Sequence, residues 1–151
     1  MFRKRTTMFS KACEYGIRAS IYIANQSQHD KRVSLKDIAK EISSPEAFTA
    51  KILQQLSRNH IINSVKGPSG GFEIEKKRIS KVKLSHIVLA IDGDYIYKGC
   101  GLGLKECPGK NRRSLDKQFK SLRSNIISML ENTNLSELSM GLKDGLTFLK
   151  V

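Results

Sequence analysis

Between Leu35 and Ile42 apolar residues recur at Leu35, Ile38, Ala39 and Ile42, the i, i+3, i+4, i+7 spacing of an amphipathic helix, with Lys36, Lys40 and Glu41 left to solvent. Ser34 stands where an N-cap belongs. Ser43-Ser44-Pro45 breaks that pattern, because the residue before a proline is pushed out of the helical region while proline suits a first helical position. A second helical pattern then runs to about Asn59 with Phe48, Ile52, Leu53 and Leu56 inward. After it the period drops to two. Ile61 to Val65 and Phe72 to Glu75 read as strands, and Lys66-Gly67-Pro68-Ser69-Gly70-Gly71 reads as the turn between them.

Two closely spaced helices followed by a glycine-rich hairpin predict a winged helix-turn-helix. In that arrangement the amino-terminal part of the second helix, Ser43 to Lys51, faces a DNA major groove and the hairpin is the wing. The groove-facing residues expected are Ser43, Ser44, Phe48 and Lys51, with Phe48 alternatively a core residue. Lys66 and Ser69 are the expected wing contacts to the minor groove or its phosphates, since the wing glycines bring backbone close to the sugar-phosphate chain.

On either side of this unit the pattern continues. A first helix is predicted from Ser10 as N-cap to about Gln26, with Ala12, Tyr15, Ala19, Tyr22 and Ile23 on one stripe, widened by Ile17 and Ile21. Cys13 lies within it as a small inert filler. Ser27 to Arg32 reads as a polar loop, Glu75 to Lys81 as a solvated charged segment, and Lys83 to Asp92 as a helix with Leu84, Ile87, Val88 and Ile91 inward, ended by Asp92-Gly93. His29, His60 and His86 have no partners at ligand spacing and are assigned no chemistry.

The final helix has the clearest period. Leu115, Phe119, Leu122, Ile126 and Met129 are spaced 4, 3, 4 and 3, the alternation that builds a seam between helices, and Ser114 can cap it. Because the winged helix has its own core residues, the seam is assigned to a second copy of the chain, giving a homodimer. Leu135 to Leu142 is expected to pack back on the domain. The organisation is therefore residues 1–92 as the DNA-binding domain, 93–113 as a cysteine-containing loop, and 114–151 as dimerisation helix and tail. The fold class is mainly α with a small β wing.

Charge sharpens the functional reading. The 151 residues carry a formal net charge of +13. Residues 1–91 hold 17 Lys and Arg against 7 Asp and Glu, whereas residues 92–151 hold 10 against 7. An excess concentrated on the winged helix suits a polyanion such as double-stranded DNA. The basic start Arg3-Lys4-Arg5 leads into polar sequence rather than an apolar run, and no stretch approaches transmembrane length, so a cytoplasmic protein with no membrane partner is expected. Three cysteines without a secreted-framework spacing agree with a reducing compartment. No phosphate-binding glycine signature, zinc-protease pair or nucleophile and base pair is present, and an enzyme is not expected. An alternative of another class is a protein- or RNA-interaction module that recruits a partner enzyme. Neither the operator nor any small-molecule effector is legible.

The segment Val33 to Phe72, with Ser-Leu-Lys-Asp-Ile-Ala at Ser34 to Ala39, Ala-Lys-Ile-Leu-Gln-Gln-Leu at Ala50 to Leu56 and Lys-Gly-Pro-Ser-Gly-Gly-Phe at Lys66 to Phe72, resembles the Rrf2 family of winged-helix transcriptional regulators. The resemblance extends from Phe9 to about Leu138. It implies a dimeric bacterial regulator on operator DNA, often with a cysteine-rich sensing loop after the DNA-binding domain. Three cysteines in that loop can hold an iron-sulfur cluster in the family; Cys100 and Cys107 match the first two, and the third is absent, its place taken by Pro108 to Arg113. No cofactor is thereby assigned. A cluster asks for four ligands, so two thiols per chain leave three readings open: an inert loop, a reversible disulfide favoured by nearby Lys98, Lys105 and Lys110, or a cluster shared by two subunits. The family often has arginine where this chain has Lys66, and an ammonium lacks the planar fork that suits the minor groove.

Overall fold

The computed structural model describes residues 8–98 and 114–143. Helix α1 spans Lys11–Gln28, with the Ser10 hydroxyl accepting from the Cys13 amide at 3.0 Å. It runs two residues beyond the expected end because Ser27 turns inward, where its Oγ accepts from the Ile74 amide at 3.0 Å. Segment 27–32 is therefore only partly loop. Helix α2 spans Leu35–Glu41 and begins with a reciprocal capping box between Ser34 and Asp37. Helix α3 spans Glu46–Arg58, one residue after Pro45, whose carbonyl accepts from the Thr49 hydroxyl at 2.8 Å.

Asp30, Ser43 and His60 each lie just past the cap residue of α1, α2 and α3, with φ of 58°, 55° and 58°. This left-handed residue satisfies the last helical carbonyls and reverses the chain, a position glycine usually fills. The reversal at Ser43 makes the tight turn between α2 and α3. His60 thus acts through its backbone, whose carbonyl accepts from the Arg78 guanidinium.

The wing consists of β1 (Asn63–Val65) and β2 (Gly71–Glu73), antiparallel, with Asn63 opposite Glu73 and Val65 opposite Gly71. Both strands are shorter than expected. Ile61, Ile62 and Ile74, read as strand residues, lie just outside the ladder and are buried in the core. Phe72 is also bridged to Val33 through two backbone bonds of 2.8 and 3.2 Å, so the segment entering α2 lies along the wing as a third extended piece.

The expectation of a solvated segment from Glu75 to Lys81 is corrected. Helix α4 (Lys76–Ile79) sinks Ile79 into the core and Val82 follows it. The charged residues masked two apolar positions three apart, enough to hold a single helical turn against α1. Helix α5 (Leu84–Asp92) buries Leu84, Ile87 and Val88, leaves Ile91 partly buried, and ends at Gly93. A short helix α6 (Tyr95–Lys98) follows where loop was expected.

Helix α7 spans Ser114–Asn132, with Ser114 as its first helical residue, and α8 spans Leu135–Lys143. Their junction is fastened to the domain by Leu84 N–H to the Thr133 carbonyl and Leu135 N–H to the Val82 carbonyl, both 2.9 Å. Leu130 and Leu135 are fully buried, and the Ser139 hydroxyl accepts from the Gln28 amide side chain at 3.2 Å. The predicted packing of α8 is observed, and it adds a layer across α1. Among the described residues no helix is long and apolar enough to cross a membrane.

Candidate nucleic-acid interface

Four residues of α3 remain exposed on one stripe: Ala47, Lys51, Gln54 and Arg58, at i, i+4, i+7 and i+11. Opposite them Thr49, Ile52, Leu53 and Leu56 are buried. The stripe carries two cations, an amide and a methyl. Its Gln54 and Arg58 were not singled out from the sequence, although the 3.6-residue period that puts Ile52 and Leu56 inside puts these two outside. Glu46 in the first turn is the exposed carboxylate nearest the helix start.

On one flank of this stripe lies the wing. Ala50, Leu53, Gln54, Ser57 and Arg58 of α3 form a groove with Ser64 and Phe72 of the hairpin. Lys66 and Ser69 are exposed at the hairpin tip, where Gly67 has φ of 107° and the Gly70 amide donates to the Gly67 carbonyl at 2.9 Å. Arg32 fixes the wing from outside. Its Nε donates to Glu73 Oε2 at 2.9 Å and Nη1 donates to the Ser69 carbonyl at 3.3 Å. Sequence reading missed this clamp because Arg32 and Glu73 are remote in the chain.

On the other flank lies α1. The Tyr15 ring meets the Phe48 ring edge-on, with centroids 5.7 Å apart and planes at 80°. Phe48 therefore sits at the rim of the core, the alternative expected for it. The Ser44 hydroxyl oxygen, expected to face the groove, is enclosed, with no hydrogen-bond partner among the described residues. Ser43 and Lys51 are exposed as expected.

In the seam of α7, Leu122 and Met129 are 56% and 48% exposed, large apolar side chains left to solvent by one chain. Phe119 and Ile126 are half-buried, Ile126 against the cluster around Cys13, Leu84, Val88 and Leu130. Leu115 lies within α7, but its side chain is outside the described residues. Cys100 and Cys107 lie outside the described residues altogether. Cys13 is fully buried, and burial together with the nearby Asp92 carboxylate pushes its thiol up to about 12. It is the inert filler expected of it. Among the described residues no group of three or more His, Cys, Asp or Glu is placed to hold a metal ion.

Two helices joined by a tight turn, an exposed basic stripe on the second and a hairpin beside it define a winged helix-turn-helix. The family model Rrf2, described as "Iron-dependent Transcriptional regulator", matches residues 9–140. This chain belongs to the Rrf2 family of transcriptional regulators. A putative HTH-type transcriptional regulator of Aquifex aeolicus is 29% identical over 133 residues, 87% of this chain and 90% of that protein. The HTH-type transcriptional regulator IscR of Yersinia pseudotuberculosis is 29% identical over 124 residues, 82% of this chain and 74% of that protein. Among solved structures, CymR of B. subtilis, titled the global cysteine regulator, superposes with a TM-score of 0.73 at 18% identity, covering 89% of this chain and 98% of that one. IscR of T. potens gives 0.66 at 23% identity, covering 93% and 89%. These likenesses establish the fold and agree with a DNA-binding regulator rather than an enzyme.

Proposed function

We propose that the protein acts as a homodimer on a pseudopalindromic operator, with the α3 stripe in the major groove and the wing against the adjacent minor groove. The observation that supports this reading is the uninterrupted exposed stripe of Lys51, Gln54 and Arg58, bordered by a wing that Arg32 and the Val33 bridge hold in place. Gln54 has the donor and acceptor pair that reads an adenine edge, and Lys51 or Arg58 suits guanine or phosphate. Ser43, Lys66 and Ser69 serve the sugar-phosphate chain, while Ser44 and Phe48 shape the helix start from within. The exposed Leu122 and Met129, continuing the seam of Leu115, Phe119 and Ile126, serve the twofold contact, and a twofold dimer sets two α3 helices about 34 Å apart.

Cys100 and Cys107 are the element through which redox or iron-sulfur status would enter. Their donor set is incomplete for a cluster held by one chain: two thiols are supplied, Asn111, Arg112 and Arg113 stand nearby, and Cys13 is walled into the core. A disulfide between them, or a cluster shared across the twofold axis, is chemically complete.

The interface is tested by titrating duplex DNA at several salt concentrations. Lys51→Ala and Lys66→Ala are each expected to weaken binding, and Lys66→Ala to reduce the salt slope by about one unit. Unchanged affinity and slope in both variants would reject the assigned surface, and tighter binding to RNA than to duplex DNA at matched salt would favour an RNA-interaction module.

A further inference from the structure

On the flank of α3 opposite the wing, the outer face of α1 presents Lys11, Tyr15 and Arg18 at i, i+4 and i+7. Lys11 Nζ lies 5.1 Å from the centroid of the Tyr15 ring, and the Arg18 guanidinium lies 5.3 Å from it. The ring thus holds two cations on one helix face while it packs at a steep angle against the Phe48 ring of α3. Phe48 adjoins Ala47, the first residue of the exposed stripe, so the paired cations border the amino-terminal end of the recognition helix.

We infer that Lys11 and Arg18 form a second phosphate clamp, gripping the DNA backbone on the side of the major groove away from the wing. The inference rests on the reading of α3 as the major-groove helix. On the helical wheel of α3, Phe48 lies about 90° to one side of the mean direction of Ala47, Lys51, Gln54 and Arg58, whereas Ala50 and Ser57, which line the wing groove, lie about as far to the other. A helix seated in a groove has a phosphate strand on each side, and the wing reaches only one of them. Along α1 the seven-residue step from Lys11 to Arg18 is about 10 Å, short enough for the two cations to meet neighbouring phosphates of one strand.

Local charges are arranged for such a contact. Among the described residues Lys11 makes no ion pair, and Arg18 has Glu14 at 3.9 Å as a loose partner. A cation poised over an aromatic face has part of its hydration replaced and its side chain ordered before DNA arrives. The helix end itself does not supply the site, because the Asp92 carboxylate accepts from both the Ser10 amide and the Ser10 hydroxyl and so occupies it.

The full-length protein is titrated with a fluorescent duplex of mixed sequence, about 30 base pairs long, across a salt series, since phosphate contacts operate on any sequence. Compared are wild type, Lys11→Ala, Lys11→Arg, Lys51→Ala and, for overall charge, Lys120→Ala on α7. Lys11 is exposed, and circular dichroism checks that each variant is folded. Lys11→Ala is expected to bind about eightfold more weakly near 0.1 M salt and to lower the salt slope by about 0.9, with Lys11→Arg restoring both. If Lys11→Ala behaves as Lys120→Ala while Lys51→Ala is weakened, the clamp is overturned and the α3 interface stands. If Lys11→Ala and Lys51→Ala both bind as wild type does, the α3 interface falls and the clamp with it.

Discussion

Replacing Gly71 by alanine tests the wing where sequence and geometry meet most tightly. Gly71 has φ of 141°, opens β2, and sits opposite Val65. A methyl group there would lie 2.7 Å from the Val33 carbonyl oxygen and 3.1 Å from its carbon, both backbone atoms that cannot swing aside. The backbone strain alone is about 1–3 kcal/mol. Relief of the collision requires opening the Val33 to Phe72 bridge, two hydrogen bonds that together contribute about 2 kcal/mol. Gly67→Ala isolates the first part, because Gly67 also has positive φ, 107°, yet nothing lies within 4 Å of the added methyl. Gly71→Ala should therefore cost about 2 kcal/mol more than Gly67→Ala, or about 4–8 °C in Tm for a chain of this size. Thermal unfolding by circular dichroism measures the difference, and hydrogen exchange at the Val33 and Phe72 amides locates it. Equal Tm values for the two variants, with both amides still protected, would refute the reasoning.

Three further outcomes are expected. Replacing Leu122 and Met129 together with lysine should yield folded monomers in sedimentation equilibrium and weak operator binding, because each half-site alone is weak; a folded dimer would mean that the seam lies elsewhere. The Cys13 thiol, raised to about 12 from its ordinary 9.0, stays protonated in the fold while the unfolded chain loses its proton above about 9. Wild type should therefore lose stability relative to Cys13→Ala as pH rises from about 9 to 12 and not below, as read from urea unfolding, and a constant difference across that range would contradict the burial argument. Oxidised and reduced wild type should differ in DNA affinity, Cys100→Ser and Cys107→Ser should abolish that difference, and Cys13→Ser should keep it; equal affinities throughout would mark the loop as inert.

The elements whose apolar positions repeat were legible from the chain alone. Ser10 and Ser34 cap the helices assigned to them, and Leu135 and Leu138 of α8 pack on the domain, because local capping and periodicity determine these features. Features set by distant partners were not legible. Arg32 meets Glu73 across 41 positions, Val33 pairs with Phe72, and Ser27 leaves the expected loop to cap the Ile74 amide. The charged run from Glu75 to Lys81 concealed Ile79, since a single turn offers too few apolar positions to show a period. At the site, Lys51, Lys66 and Ser69 are exposed, and Phe48, legible as inward from the helical period, meets Tyr15 of a helix far away in sequence, a partner that no local pattern names. Gln54 and Arg58 were within reach of the same period that identified the core.

The central claim is that two copies of this chain read one operator through paired α3 helices. Duplexes selected by the full-length protein from a random pool, then footprinted and sedimented as the complex, test it most directly. Inverted half-sites are expected, with centres about one helical turn, 34 Å, or a multiple of it apart, two chains per duplex, and weaker selection by Arg58→Ala and Gln54→Ala. A single uninverted site carrying one chain, or a pool that emerges without any preferred sequence, would contradict it.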